Sequence, residues 1–237
     1  VNPRACNETT LNYFPVVKKK KIAVIGAGPS GLAFSEIAAQ RGHEIDLFEG
    51  SSEIGGQFNL AKKIPGKEEF YETLRYFYNA LKKNNVNLIL NKWVNNSDLI
   101  GKGYDEVVFS TGVNPRSINI EGINSKNVIS YIDAITGKRV IGKKIVIIGA
   151  GGIGFDVAEL ISHGVRNPSV NIEDFASQWG IDFVNHPRGG VTGIPSLFEK
   201  SDREIIMLQR KVTPVGIGLG KTTGWTHRLS LKNKEIT

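Results

Sequence analysis

The sequence predicts an α/β chain of two successive domains, each a parallel sheet flanked by helices. Three observations predict it. First, Lys21–Ile25 is an apolar, β-branched run that ends in Gly26-Ala27-Gly28-Pro29-Ser30-Gly31 and passes into the helix-forming residues 32–39. Second, a matching run over Lys144–Ile148 ends in Gly149-Ala150-Gly151-Gly152-Ile153-Gly154 and passes into the helical spacing of residues 155–161. Third, a stretch rich in Asn, Ser, Gly and Pro separates the two, over residues 114–130. One Gly-x-Gly-x-x-Gly alone is a weak signal, but two strand–glycine–helix units in one chain are far more specific. The expectation is two Rossmann-like dinucleotide-binding domains.

In the first unit each glycine has a mechanical task. Gly26 makes the tight turn, Gly28 lets backbone approach a pyrophosphate, and Gly31 brings helix close to strand. The unpaired N–H groups at the helix start, Ser30 among them, face the anion. A glycine stop after Gln40-Arg41 leads into Glu44–Phe48, the second strand. Glu49 closes that strand 18 residues beyond Gly31, the place of a carboxylate that holds a ribose hydroxyl. The alternative is a decayed fold that binds nothing. Gly55-Gly56-Gln57 follows: paired glycines allow close backbone approach, and Gln57 both donates and accepts. An ordinary Gly-Gly turn is the plain alternative.

Pro65-Gly66 breaks the chain, and Glu68–Lys83 predicts an amphipathic helix. Phe70, Leu74, Phe77 and Leu81 share one face, acids lead and lysines end, in keeping with the helix dipole. Its aromatics read as core. Strands are expected over Val86–Leu90 and over Tyr104–Phe109. The latter reads as a buried strand running into Thr111-Gly112, where small residues permit a ligand at the carboxyl edge of the sheet.

In the second unit the next strand comes late. About 40 residues, 163–203, precede Glu204–Leu208; a structureless loop of that size is unusual and reads as a lid or a packing insert. The strand ends in Gln209-Arg210-Lys211 where an NAD site carries an acid. Losing the carboxylate removes repulsion against a 2′-phosphate, and Arg210 offers it a bidentate fork. The expectation is NADPH rather than NADH, against a solvated strand end that touches nothing. Trp225, after the glycine-rich 216–224, either walls a nicotinamide pocket or fills a gap.

Composition bounds the rest. The net charge is +7, but the basic residues are dispersed and no recognition motif accompanies them, so nucleic acid is not expected. Lys18–Lys21, at the end of an extended arm over residues 1–21, reads as a solvated strand entry, against a targeting signal. One cysteine, Cys6, rules out a disulfide framework and fits a reducing, cytoplasmic setting. No apolar run reaches membrane-helix length. His43, His163, His186 and His227 share no metal-site spacing, and no Ser/His/Asp or Cys/His constellation is present, so neither a metal site nor a catalytic residue is expected in this chain. The first residue is Val1 and no closing element follows Glu235-Ile236-Thr237, which reads as a piece of a longer polypeptide.

With both glycine motifs, Glu53–Phe58, Ile64–Phe70 and Gly218–Trp225 in view, the chain resembles the bacterial NADPH-dependent 2,4-dienoyl-CoA reductases, relatives of old yellow enzyme and trimethylamine dehydrogenase, nearly end to end. The resemblance implies an FAD-binding domain over 22–113 and an NADPH-binding domain over 131–237, both incomplete on the C-terminal side. It implies FAD contacts from Gly26, Gly28, Ser30, Gly31, Glu49, Gly56, Gln57, Lys67 and Val94, with Thr111-Gly112 as the Thr-Gly motif of two-dinucleotide flavoproteins. It implies NADPH contacts from Gly149, Gly151, Gly152, Gly154, Arg210 and Lys211, with Trp225 nearby. A barrel domain of the same polypeptide would then carry FMN, a 4Fe–4S cluster, the dienoyl-CoA site and the acid/base residues. Cys6 lies outside the cluster ligands. The implied activity is NADPH-to-FAD hydride transfer, with electrons passing through the cluster to FMN for dienoyl-CoA reduction in fatty-acid β-oxidation. Two other readings are the electron-input subunit of another flavoprotein, such as glutamate synthase, and a non-redox module holding ADP, as trimethylamine dehydrogenase does.

Overall fold

In the computed structural model of the chain, residues 4–164, 167–185 and 193–237 are described. They form two compact units. The first takes residues up to Asn59 and then Glu69–Ser117; the second takes Leu60–Glu68 and Ile118–Thr237. The chain therefore leaves the first unit for nine residues and returns, where the sequence reads as one uninterrupted domain.

The first unit runs β1 (Lys21–Ile25), α1 (Pro29–Gln40), β2 (Glu44–Phe48), α2 (Phe58–Ala61, which leads out), α3 (Glu69–Lys83), β3 (Asn87–Ile89), α4 (Asn96–Leu99) and β4 (Glu106–Phe109). Its sheet is parallel throughout, in the order β3-β2-β1-β4. Strand order reverses between β1 and β4, so the crevice at their carboxyl ends is the ligand position of an open α/β sheet. Val24, Leu32 and Leu47, each 0% exposed, centre the core. From α3, Leu74 and Leu81 join it, each contributing about 2 kcal/mol by burial. Phe77 is half-buried against them, and Phe70 stacks on Phe58 at 4.5 Å. The sequence predicts a buried strand over Tyr104–Phe109, and the structure differs. β4 is not buried: it closes the sheet's edge, Val107 and Phe109 are exposed, and only Val108 packs inward.

The second unit holds α5 (Tyr131–Thr136), β5 (Lys144–Ile148), α6 (Gly152–Ser162), a 3-10 turn (Pro168–Val170), α7 (Ile172–Trp179), β6 (Glu204–Leu208) and α8 (Gly224–Asn233). β5 and β6 pair in parallel, and among the described residues they form a two-stranded sheet. Ile205 and Met207 face the helices and are buried, while Val146, Ile148, Ile206 and Leu208 on the other face are exposed. The insertion has structure of its own: α7 is capped by the Asn171 side chain on the Asp174 amide, and Trp179 meets Phe198 edge-on at 4.9 Å. The turn chemistry of Asn171 and Gly180, which is left-handed, bounds this helix. Part of the insertion, with His186, lies outside the described residues. After α8, Thr237 bonds along β6, its amide to the Ile205 carbonyl at 3.2 Å and its carbonyl to the Met207 amide at 2.5 Å.

Candidate dinucleotide sites

At the first glycine turn, Gly26 has φ +102° and donates its amide to the Phe48 carbonyl at 2.8 Å. A Cβ there would stand 2.5 Å from the Ser110 carbonyl oxygen, and one on Gly31 would stand 1.9 Å from the Gly26 oxygen. Both residues are thus sterically obliged to be glycine. A Cβ on Gly28, in contrast, would meet nothing nearer than Gly56 Cα at 4.0 Å. The backbone at Gly28 stands open to a ligand, with the Gly55-Gly56 turn beside it and tied by the Gly55 amide to the Ala27 carbonyl at 2.8 Å.

α1 begins on Gly28 with no side-chain cap and no acid in its first turn. That distinguishes it from α4, α5 and α7, whose first amides are taken by Asn95, Ser130 and Asn171. The free amides of a helix start suit a diphosphate, and Ser30 is exposed among them. Glu49 stands where the ribose acid is expected. Its carboxylate accepts from the Ala27 amide at 2.8 Å and from the Ser51 amide and hydroxyl at 2.9 and 2.5 Å. Burial alone would raise its pKa, but these hydrogen bonds, with the Gly50 amide, outweigh it and hold the carboxyl below the usual range. Gln57, Thr111 and Gly112 are exposed in loops and Val94 is half-buried. Ser110 is not among the residues predicted for the site, yet its hydroxyl reaches the Ile25 and Gly26 carbonyls at 2.9 and 2.8 Å and pins the turn. A small polar residue just after a strand was the only signal available.

The second turn repeats the first. Gly149 has φ +117° and donates to the Leu208 carbonyl at 2.8 Å; a Cβ on Gly154 would lie 2.0 Å from the Gly149 oxygen. Gly151 and Gly152 have nothing within 4 Å of a Cβ, and α6 starts on Gly151 without a cap or a first-turn acid. Arg210 and Lys211 are exposed beyond β6 and make no ion pair among the described residues. Trp225 is also exposed, its indole N–H given to the Thr222 carbonyl at 3.0 Å. Both cradles fit a dinucleotide diphosphate: open glycine backbone, uncapped helix amides and obligatory glycine at the close approach.

Lys67 falls in the second unit rather than in the first. Its ammonium holds both carboxylate oxygens of Asp156 on α6, at 2.6 and 2.7 Å. Further along α6, Glu159 is paired with Lys234, Ser230 and His163. Burial alone would raise the Glu159 pKa, but these partners bring it down to about 2.

Residues 20–177 match the pyridine nucleotide-disulphide oxidoreductase family. The chain belongs to that family. Membership places the chain in an oxidoreductase family and implies FAD and a nicotinamide nucleotide, in agreement with two cradles. The chain is 33% identical over 167 residues to a metal reductase of Desulforamulus reducens, covering 68% of this chain and 25% of that one. It is 29% identical over 189 residues to an NADH oxidase of Thermoanaerobacter brockii, covering 77% and 28%. The solved structure of a 2-naphthoyl-CoA reductase with 2-naphthoyl-CoA matches all of this chain and 30% of its own, with TM-score 0.76 and 28% identity. The chain thus spans about a quarter of the length of the curated relatives it matches. Among the described residues no helix is long and apolar enough to cross a membrane, and no group of His, Cys, Asp and Glu could hold a metal ion.

Proposed function

We propose that this chain is the NADPH-to-FAD hydride-transfer module of a 2,4-dienoyl-CoA reductase working in the cytoplasm. FAD lies on Gly26, Gly28, Ser30 and Gly31, with Glu49 on its ribose and Gly56, Gln57, Val94, Thr111 and Gly112 around it. NADPH lies on Gly149, Gly151, Gly152 and Gly154, with Arg210 and Lys211 on the 2′-phosphate and Trp225 beside the nicotinamide. The bound cofactors supply the redox chemistry; the chain orients them and sets their electrostatics. In the whole protein, FMN and a 4Fe–4S cluster held by a barrel of the same polypeptide would supply the redox chemistry that reduces the dienoyl-CoA.

The observation that carries this reading is the pair of uncapped helices, each starting at an obligatory glycine turn. Likeness to a reductase solved with an aromatic acyl-CoA supports a conjugated acyl-CoA substrate. Likeness to an NADH oxidase pulls the other way on the nicotinamide, so the preference for NADPH rests on Arg210 and Lys211. The test is the nucleotide released on denaturing the purified full protein, followed by titration with NADPH and NADH while flavin absorbance is read. FAD released and bleached faster by NADPH, with Arg210→Ala losing about tenfold for NADPH alone, is the expected result. ADP in place of FAD would make the chain a structural module, and equal rates with both nucleotides would remove Arg210 from the site.

A further inference from the structure

The nine-residue excursion 60–68 is built into the second unit and ends on its glycine helix. Ile64, 2% exposed, packs with Ile135, Val157, Ile161 and Ile205. The Glu68 carboxylate then anchors the far end, accepting from Asn167 Nδ2 at 2.5 Å, from Ser169 Oγ at 2.8 Å and from the Gly66 amide at 3.0 Å. Between these anchors Lys67 is presented to Asp156, two residues past Gly154 on α6. An aspartate in the second turn of α6 places a like charge within reach of a diphosphate bound at that helix start. An ammonium on both of its oxygens cancels that repulsion.

We infer that Lys67 is a positioning residue for the second dinucleotide: by neutralising Asp156 it keeps the α6 start receptive to the diphosphate. The inference rests on the proposed nicotinamide site and assigns the excursion 60–68 to its upkeep. The side chains are half-buried, 30% and 24% exposed, so the field of an unpaired Asp156 is only partly screened. Lys67 acts through Asp156, and the pair has a signature that a mere staple lacks. Removing both charges restores binding, whereas removing both ends of a staple does not.

The experiment measures the dissociation constant of NADPH by calorimetry on the full protein, from ~0.05 to ~0.5 M salt. Lys67→Met is expected to weaken binding about tenfold at low salt, and by a smaller factor at high salt. Lys67→Arg keeps the affinity of the unmodified protein, and Lys67→Met with Asp156→Asn returns it to within about twofold. Asp156→Asn alone leaves binding equal or tighter; this variant decides the matter if Lys67→Met does not fold. The inference is overturned if Lys67→Met binds normally, if the double variant stays as weak as Lys67→Met, or if Asp156→Asn weakens binding. An unmodified protein that binds no nicotinamide dinucleotide overturns the site reading itself, and is told apart because no variant is then needed.

Discussion

The two glycine turns have the same local geometry in different surroundings. Gly26 and Gly149 share a positive φ and the same bond to the neighbouring strand, and a Cβ placed on Gly31 or Gly154 would stand almost equally far from the turn carbonyl oxygen, 1.9 against 2.0 Å. Yet β1 is flanked by β2 and β4, whereas β5 has only β6 at its side among the described residues. A Cβ on Gly26 therefore meets the Ser110 carbonyl, while one on Gly149 meets nothing within 4 Å. The turn is dictated by its own dozen residues. How firmly it is held depends on the rest of the sheet.

The largest effect should be common to both regions, because it depends only on what they share. Gly31→Val and Gly154→Val each place carbon far inside van der Waals contact with a carbonyl oxygen. Each is expected to cost on the order of 4 kcal/mol and to abolish binding in its own cradle. Thermal unfolding and the loss of bound flavin, or of NADPH affinity, measure the two. A tolerated valine at either site would mean that the turn is not as tight as the structure has it.

The next effect belongs to the second unit alone. Among its described residues that unit has a two-stranded sheet, and the buried Glu159–Lys234 pair joins α6 to α8, Lys234 being 5% exposed. The Glu159 pKa is depressed in the fold, to about 2 from an ordinary 4.5. Its contribution is therefore complete above about 4.5 and is lost as pH falls from there toward 2, a total of about 3 kcal/mol. Acid unfolding followed by hydrogen exchange should release residues 152–162 and 224–233 before β1, and Glu159→Gln should remove this pH dependence. If both units melted together across that range, the pair would not be what holds the second one.

A sharper contrast comes from Gly26→Ala against Gly149→Ala. Both incur the strain of positive φ, about 1 kcal/mol, but only Gly26 adds a clash, for about 3 kcal/mol in all. Equal losses in chemical denaturation would show that the flanking strand does not matter.

These contrasts also explain what the sequence could tell. Both cradles were legible because glycine spacing after a β-branched run is a local constraint, and so was the α3 face with Leu74 and Leu81. The excursion 60–68 was not. Ile64 and Lys67 find their partners, Ile161 and Asp156, about 90 residues away, and nothing in the local pattern says which core an apolar residue joins. The exposure of β4 was missed for the same reason, since Val107-Val108-Phe109 reads as buried whether or not a neighbour covers it. The helix α7 was hidden by an insertion whose Asn and Gly caps look like loop residues until paired with Asp174 and Ala176.

The smallest effect tests the comparison at a single position. Glu49 and Gln209 occupy equivalent places, each next to the residue that receives the turn's amide, Phe48 in one sheet and Leu208 in the other. Glu49 is held by the Ala27 and Ser51 amides, while the Gln209 amide group is turned to the Thr213 carbonyl. A carboxylate there suits a free ribose and repels a 2′-phosphate; a neutral amide is indifferent to charge. Gln209→Glu is therefore expected to weaken NADPH binding about tenfold, or ~1.4 kcal/mol, and to leave NADH unchanged or slightly tighter. The readout is the ratio of the two dissociation constants, which cancels any general loss of stability. A ratio that does not move would mean that nucleotide choice in this cradle is set elsewhere than at the end of β6.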